Sequence, residues 1–144
     1  MYSTKIYKSW KKKQDEKYED LMPRIKKHLT SVCTVIDIGI GPAWIYDAFE
    51  ENDVRFAAVD GVDPDPEIIE PRHPDVEYHV TEWFATNRRF DFLICFDTLH
   101  LIKEPSKLLG YVRSGGLALI SVPQRHASLL KQFMSNKILE SGEI

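Results

Sequence analysis

The stretch VIDIGIGPAWIYDAFE, Val35 to Glu50, decides how the rest of the chain is read. It opens as an apolar, β-branched run of strand character, stops at an acid and two glycines, and continues with apolar positions at helical spacing. Trp44, Ile45, Ala48 and Phe49 share one helical face, and Asn52 and Asp53 supply a turn after it. A strand that passes through a glycine loop into a helix makes a cradle for a ligand. The glycines let backbone approach closely, and the helix start offers unpaired N–H donors at the positive end of its dipole. Two common ligands are disfavoured by the loop itself. The dinucleotide fingerprint places a third glycine three positions after Gly41, where Trp44 stands and blocks the close packing of helix on strand. A P-loop is excluded because no Gly-Lys-Ser or Gly-Lys-Thr follows the glycines.

Outward from this stretch, strands alternate with helical patterns. The run from Val32 to Ile38 is predicted as a buried strand, and VRFAAVDGV, VEYHV, FDFLICF and LALISV read as four more. The proline-rich DPDPEIIEPRHP is predicted to be a loop with at most a short helix. A helix is expected around Lys103 to Val112, followed by a turn at Ser114, Gly115 and Gly116. At the N-terminus, Tyr18, Leu21, Met22, Ile25 and Leu29 recur at helical spacing, which predicts a helix from about Gln14 to Leu29 with Pro23 as a kink or late start. At the C-terminus, Leu129, Leu130, Phe133, Ile138 and Leu139 line one face of a closing amphipathic helix. Buried strands alternating with helices imply a three-layer α/β fold around a parallel sheet. In such a sheet the ligand binds beyond the carboxyl ends of the strands where strand order reverses, which is where the glycine loop falls.

The bulk numbers agree with one domain. A chain of 144 residues, 43% of them apolar, fills a single core. A formal charge of −3 does not describe a nucleic-acid coat, although Lys5, Lys8, Lys11, Lys12 and Lys13 make the first stretch locally basic. Cys33 and Cys95 lie within apolar runs and read as buried, reduced thiols. No apolar run approaches the roughly 20 residues of a membrane helix and no signal core is visible, so a cytoplasmic protein without membrane contact is expected. No His, Cys and Asp grouping at ligand spacing suggests a metal.

The pattern acid, any residue, Gly, any residue, Gly at Asp37, Gly39 and Gly41 resembles the first motif of the class I, Rossmann-like S-adenosylmethionine-dependent methyltransferases, most closely their small type-11-like domains. AAVDGVDPDPEII is similar to the family's second-strand segment, FDFLICFDTLHLIKEP to its fourth motif, and LLGYVRSGGLALISVP to the turn and fifth strand that follow. Together these cover about residues 32 to 123 in the family's order. The resemblance implies a strand order of 3-2-1-4-5, with a helical segment at residues 1–30, a cofactor-binding core at 31–123 and a closing helix at 124–144. The family's usual C-terminal β-hairpin has no counterpart here, which leaves the apolar fifth strand as an edge to be covered by the closing helix, a second copy or another chain.

The resemblance also implies roles. Asp37 matches the acid that holds the amino group of the cofactor's methionine part, the alternative being an acid that only caps the next helix. Gly39 and Gly41 match the glycines lying against that part, and Ala43 replaces the usual third glycine. For the acid that binds the ribose hydroxyls, Asp60 is expected, because it is nearer the roughly 20-residue spacing and RFAAV can end beneath it; Asp63, in the more family-like GVDPDPE, is the alternative. Glu82 is the candidate for the adenine amino group, with Trp83 packing on the ring or filling the core. Phe96 and Asp97 match the wall between cofactor and acceptor, Phe96 as a cofactor-binding and Asp97 as a catalytic candidate, and His100 is the candidate general base, with a structural role as its alternative. The implied activity is in-line methyl transfer to a small molecule in preference to RNA or protein; a non-catalytic or partner-dependent subunit is the alternative. Tyr2, Tyr7, Trp10 and Tyr18 mark the N-terminal segment as a candidate lid.

Overall fold

The computed structural model describes residues 4–29, 32–69 and 72–134, with the side chains of residues 4–9 and 134 excepted. Five parallel strands form one sheet in the order β3-β2-β1-β4-β5. They are β1 Cys33–Ile38, β2 Phe56–Asp63, β3 Val76–Val80, β4 Phe90–Cys95 and β5 Val112–Ile120. Helices α1, Thr4–His28, and α2, Trp44–Glu51, cover one face, and α3, Ala127–Met134, lies on the other beside two 3-10 segments, Leu99–Leu101 and Pro105–Tyr111.

The central strands are buried on both faces, which is why β1 and β4 are apolar almost throughout. Val35, Val59, Phe92 and Ile94 point into the layer built by Tyr18, Leu21, Met22 and Ile25 of α1 and Ile45 and Phe49 of α2. Ile36, Ile38, Val62, Leu93 and Cys95 point into the opposite layer, against Leu99, Leu108 and Tyr111. Each fully buried Leu, Ile or Met contributes about 1.5–3 kcal/mol, so these contacts outweigh α1's polar ones in docking that helix. Cys33 and Cys95 are both buried, and burial pushes the Cys95 thiol well up, which keeps it protonated.

Several elements differ from the sequence reading. Helix α1 begins ten residues or so before Gln14, and Pro23 lies inside it. The stretch near Lys103 is 3-10 helix and starts at Pro105, with Leu108 and Tyr111 as its buried positions. Ser114, Gly115 and Gly116 do not separate a helix from a strand but form an irregular insert within β5, where the pairing steps from Phe90↔Val112 to Phe92↔Leu117 and Gly115 takes φ 77°. Ile138 and Leu139 of the expected closing helix, and Tyr2 of the expected lid, lie outside the described residues, as does the side chain of Tyr7. Leu129, Leu130 and Phe133 of α3 pack on the layer containing Ala118, Ile120 and Val122. That helix covers a face of β5 and not its edge: among the described residues β5 pairs with β4 alone. No helix among the described residues is long and apolar enough to cross a membrane.

Candidate active site

Strand order reverses between β1 and β4, and the loop Gly39 to Ala43 leaves β1 at that point. Its first amides are held by the neighbouring strand, Gly39 N–H and Ile40 N–H donating to the Val62 carbonyl at 2.7 and 3.2 Å. Gly39 and Gly41 both take positive φ, 75° and 55°. Ala43 takes φ 61° as well, so the loop keeps the left-handed conformation a glycine would adopt there, at a cost of about 1 kcal/mol. A cleft of about 380 Å³ opens in front of the loop, within the range of small-molecule sites. Asp37, Gly39, Gly41, Phe96, Asp97 and His100 all line it.

Asp37 is buried and accepts a hydrogen bond from the Tyr46 hydroxyl at 2.7 Å. Burial pushes its carboxyl up to about 8, and nearby Asp63 adds to the rise against the opposing Tyr46 bond. It is therefore largely protonated at neutral pH. Tyr46 was not singled out from the sequence; only its position one helical turn into α2 brings it under Asp37.

The two candidate ribose acids are not brought together. Strand β2 does not end beneath Asp60 but runs to Asp63, whose partner on β3 is Val80. Asp63 lies at the carboxyl end: its Oδ2 accepts the Gly41 N–H and its Oδ1 the Asp65 N–H, both at 3.0 Å. Burial raises the Asp63 carboxyl, and these two amides hold the rise back. Asp60 sits opposite Ile36 in mid-strand, on the other side of the sheet, where Oδ1 meets His79 Nε2 at 2.8 Å and Arg88 Nη2 at 3.1 Å. The geometric expectation for Asp60 is thus corrected: Asp63, not Asp60, reaches the glycine loop.

Glu82 is exposed on the connection after β3 and is not part of the cleft wall, while Trp83 stacks on Tyr111 at 6.3 Å in the second core layer. Phe96 packs its ring against Tyr18 at 5.4 Å. Asp97, at φ 54°, is tied on every side: its N–H donates to Ser121 Oγ, Ser121 Oγ donates back to Oδ1, and Gln14 Nε2 and Lys17 Nζ reach Oδ2 at 3.2 and 3.4 Å. That makes it an anchor for α1 over the cleft. His100 stacks on His126 with centroids 4.6 Å apart, and its buried Nδ1 has no hydrogen-bond partner. Burial, then the charges of His126 and Arg125, push its ring below the ordinary imidazole value, so the neutral, proton-accepting form is favoured. Burial and the nearby carboxylates push the Tyr18 and Tyr46 hydroxyls far up, which removes both as bases.

Helix α1 contributes more of the site than its sequence suggested. Trp10, Lys13, Gln14, Lys17 and Tyr18 line the cleft at the i, i+3, i+4, i+7, i+8 spacing of one helical stripe. The stripe is mostly polar, so a search for apolar periodicity passes over it. The fold also assembles two groups of metal-ligating type, Asp47 with Glu50 and His73, and Asp60 with Glu77 and His79, in each of which a close pair is joined by one residue remote in sequence. In the second, Arg88 already supplies the positive charge beside Asp60.

Residues 10–141 match a family model described as a methyltransferase domain. The chain belongs to this family, the class I S-adenosylmethionine-dependent methyltransferases. No curated protein matches its sequence. Among solved structures, this methyltransferase domain is similar to a ribosomal protein L11 methylase from Lactobacillus delbrueckii subsp. bulgaricus, at 15% identity and a TM-score of 0.63 over 84% of this chain and 70% of the other. A Haloferax volcanii methyltransferase in complex with the Trm112 activator gives 12% identity and a TM-score of 0.62 over 94% and 66%. The S-adenosylmethionine-bound amino pentose methyltransferase CalS10 from Micromonospora echinaspora gives 20% and 0.58 over 76% and 52%. The chain thus spans between half and seven tenths of these proteins' lengths, and at such identities they share its fold.

The Asp37 carboxyl makes the methyltransferase domain's stability depend on pH in a defined direction. Its folded value, about 8, lies above the roughly 3.9 of an unfolded chain, so the native state keeps a proton that the unfolded state has lost between those limits. The stability this provides is complete below about pH 4 and is gone above about pH 8. Chemical denaturation should show the protein losing about 2 kcal/mol between pH 6 and 7.5 relative to Asp37→Asn, whose amide still accepts from Tyr46. Parallel pH profiles for the two proteins would contradict a buried, protonated Asp37.

Proposed function

We propose that the protein transfers a methyl group from S-adenosylmethionine to a small-molecule acceptor in the cleft beneath α1. The observation that carries this reading is the Asp63 to Gly41 hydrogen bond, which joins the acid ending β2 to the glycine loop ending β1. The residues fit the cofactor. A carboxylate offers about four acceptor sites, so Asp63 can hold ribose hydroxyls while keeping both amides. Gly39 and Gly41 let the methionine part lie on backbone, and Asp37 stands beside the loop to receive its ammonium. Phe96 and Tyr18 wall the far side.

Bound there, the cofactor supplies an electrophilic methyl group, and the electron pair of the broken carbon–sulfur bond stays on sulfur. This chain's part is position and proton transfer. Closing the acceptor against Phe96 under α1 excludes water and holds the attacking atom in line. His100, on the cleft wall and in its neutral form, takes the proton that the acceptor loses as its new bond to carbon forms. Asp97 positions α1 and does not itself react.

Calorimetric titration tests the reading. S-adenosylmethionine and S-adenosylhomocysteine should each bind at sub-millimolar concentration, and an ammonium placed beside Asp37 should expel close to one proton at pH 7, seen as a heat that varies with buffer ionisation enthalpy. Absence of binding by both ligands overturns it. Among the described residues the outer edge of β5 is unpaired, which favours a second reading in which a partner strand pairs there before the enzyme becomes active; a purified chain that binds the cofactor without transferring methyl, and whose outward-facing β5 amides exchange freely, would support it.

A further inference from the structure

The cleft walls carry more positive charge than they neutralise. Lys13 and Lys17 reach it from α1, and Arg125 from the turn after β5. Lys17 is shared with Asp97 at 3.4 Å, while Lys13 and Arg125 form no ion pair among the described residues. Asp37, the other acid in the wall, contributes little compensating charge because it is buried against Tyr46. His100 and His126 stack beside Arg125 and add two ring systems that donate or accept but bring no negative charge. The cofactor leaves the imbalance in place, since its ammonium takes up Asp37 and its sulfonium adds a positive charge to set against its one carboxylate. That carboxylate can satisfy one of the three cationic side chains; at least one remains to be met. The same cleft is walled by Trp10, Tyr18, Trp44 and Phe96, flat apolar surfaces suited to a planar body.

We infer that the methyl acceptor is a small organic anion, a carboxylate or a phosphate monoester on a flat apolar body, whose charge is held by Lys13 and Arg125 at the mouth of the cleft. This rests on the methyltransferase reading and names the acceptor class for it. A charge-assisted contact in a partly desolvated cleft gives about a tenfold gain in affinity over a neutral isostere. The gain falls with added salt, because both cations are exposed.

The test uses the full chain saturated with S-adenosylhomocysteine and titrated with 4-hydroxybenzoate, phenyl phosphate and the neutral 4-hydroxybenzamide. At least one anionic probe should bind about tenfold more tightly than the amide at low salt, and the carboxylate and phosphate arms then say which anion is preferred. The advantage should shrink in 0.5 M sodium chloride, where the Debye length falls to about 4 Å and exposed charges are strongly screened. The double variant Lys13→Gln, Arg125→Gln should bring anion binding down to the level of the amide while the affinity for S-adenosylhomocysteine stays within about twofold. Equal binding of charged and neutral probes overturns the inference, as does failure of both anions to bind. A double variant that loses S-adenosylhomocysteine instead shows that these cations serve the cofactor's own carboxylate and also overturns it. If S-adenosylhomocysteine itself does not bind the unaltered protein, the methyltransferase reading fails first and the inference with it.

Discussion

Asp63→Ala is expected to weaken S-adenosylhomocysteine binding about a hundredfold, whereas Asp60→Ala leaves that affinity nearly unchanged and lowers stability instead. Hydrogen bonds to a charged group contribute roughly 1.5–3 kcal/mol each, so a carboxylate that holds two ribose hydroxyls accounts for two to three powers of ten. Asp63 is placed for this, with one oxygen on the Gly41 amide and the other on the Asp65 amide at the carboxyl end of β2. Because alanine also strands a buried Gly41 N–H, Asp63→Asn separates the two effects. Its amide oxygen still accepts from the buried Gly41 N–H and only the part-buried Asp65 N–H loses its acceptor, so most of the stability is kept while affinity still falls about tenfold. Asp60 is bound on the far side of the sheet to His79 and Arg88, and its removal leaves those groups without their shared carboxylate at a cost of about 1–3 kcal/mol. Calorimetry for the first pair of variants and denaturant unfolding for the second decide the matter. The reverse pattern, binding lost in Asp60→Ala and kept in Asp63→Ala, returns the ribose role to Asp60.

Gly39→Ala is expected to cost about 2–4 kcal/mol of folding stability and to lower the unfolding midpoint accordingly. Two penalties combine. Gly39 holds φ 75°, where an L side chain costs about 1 kcal/mol, and a Cβ there would stand 2.2 Å from Thr98 Cγ2 and 2.7 Å from Thr98 Cβ. Thr98 cannot swing clear by a rotamer change alone, because its Cβ is itself too close and its hydroxyl donates to the Phe96 carbonyl at 3.0 Å. The double variant Gly39→Ala, Thr98→Gly should regain about half of the loss, leaving the backbone term. The added methyl points at Thr98, so loss of cofactor affinity in Gly39→Ala would follow from displacement of the loop. A change of less than about 0.5 kcal/mol would show that the glycine loop does not pass beneath Thr98 as described.

Much of this protein was legible in order of sequence. The β-branched runs bounded by glycines and prolines are strands in the structure, and their alternation with helical patterns carried the parallel sheet and the position of the glycine loop. These are local signals: strand and helix periods differ, and turn residues punctuate them. Where a local signal was ambiguous the reading slipped. Between Trp10 and Lys17 helix α1 shows no apolar stripe because that face looks onto a cleft and not a core. The segment from Pro105 carries enough apolar residues for a helix yet is wound as 3-10, with Leu108 and Tyr111 turned to the sheet.

What the sequence by itself determined, then, is the family fold, the strand order that goes with it and the set of residues from which a site can be built. Only the tertiary structure showed that Asp63, and not Asp60, contacts the glycine loop. The two are three positions apart on a strand whose side chains alternate, so they must face opposite sides of the sheet, and only the pairing of Asp37 with Gly61 and of Asp63 with Val80 shows which side carries the loop. The same holds for Asp37, whose proton affinity comes from burial and from Tyr46, and for His100, whose neutral ring follows from burial beside His126 and Arg125. Burial and distance between residues remote in sequence are properties of the packed chain, and it is these that gather a list of acids and histidines around one cleft and set their proton affinities.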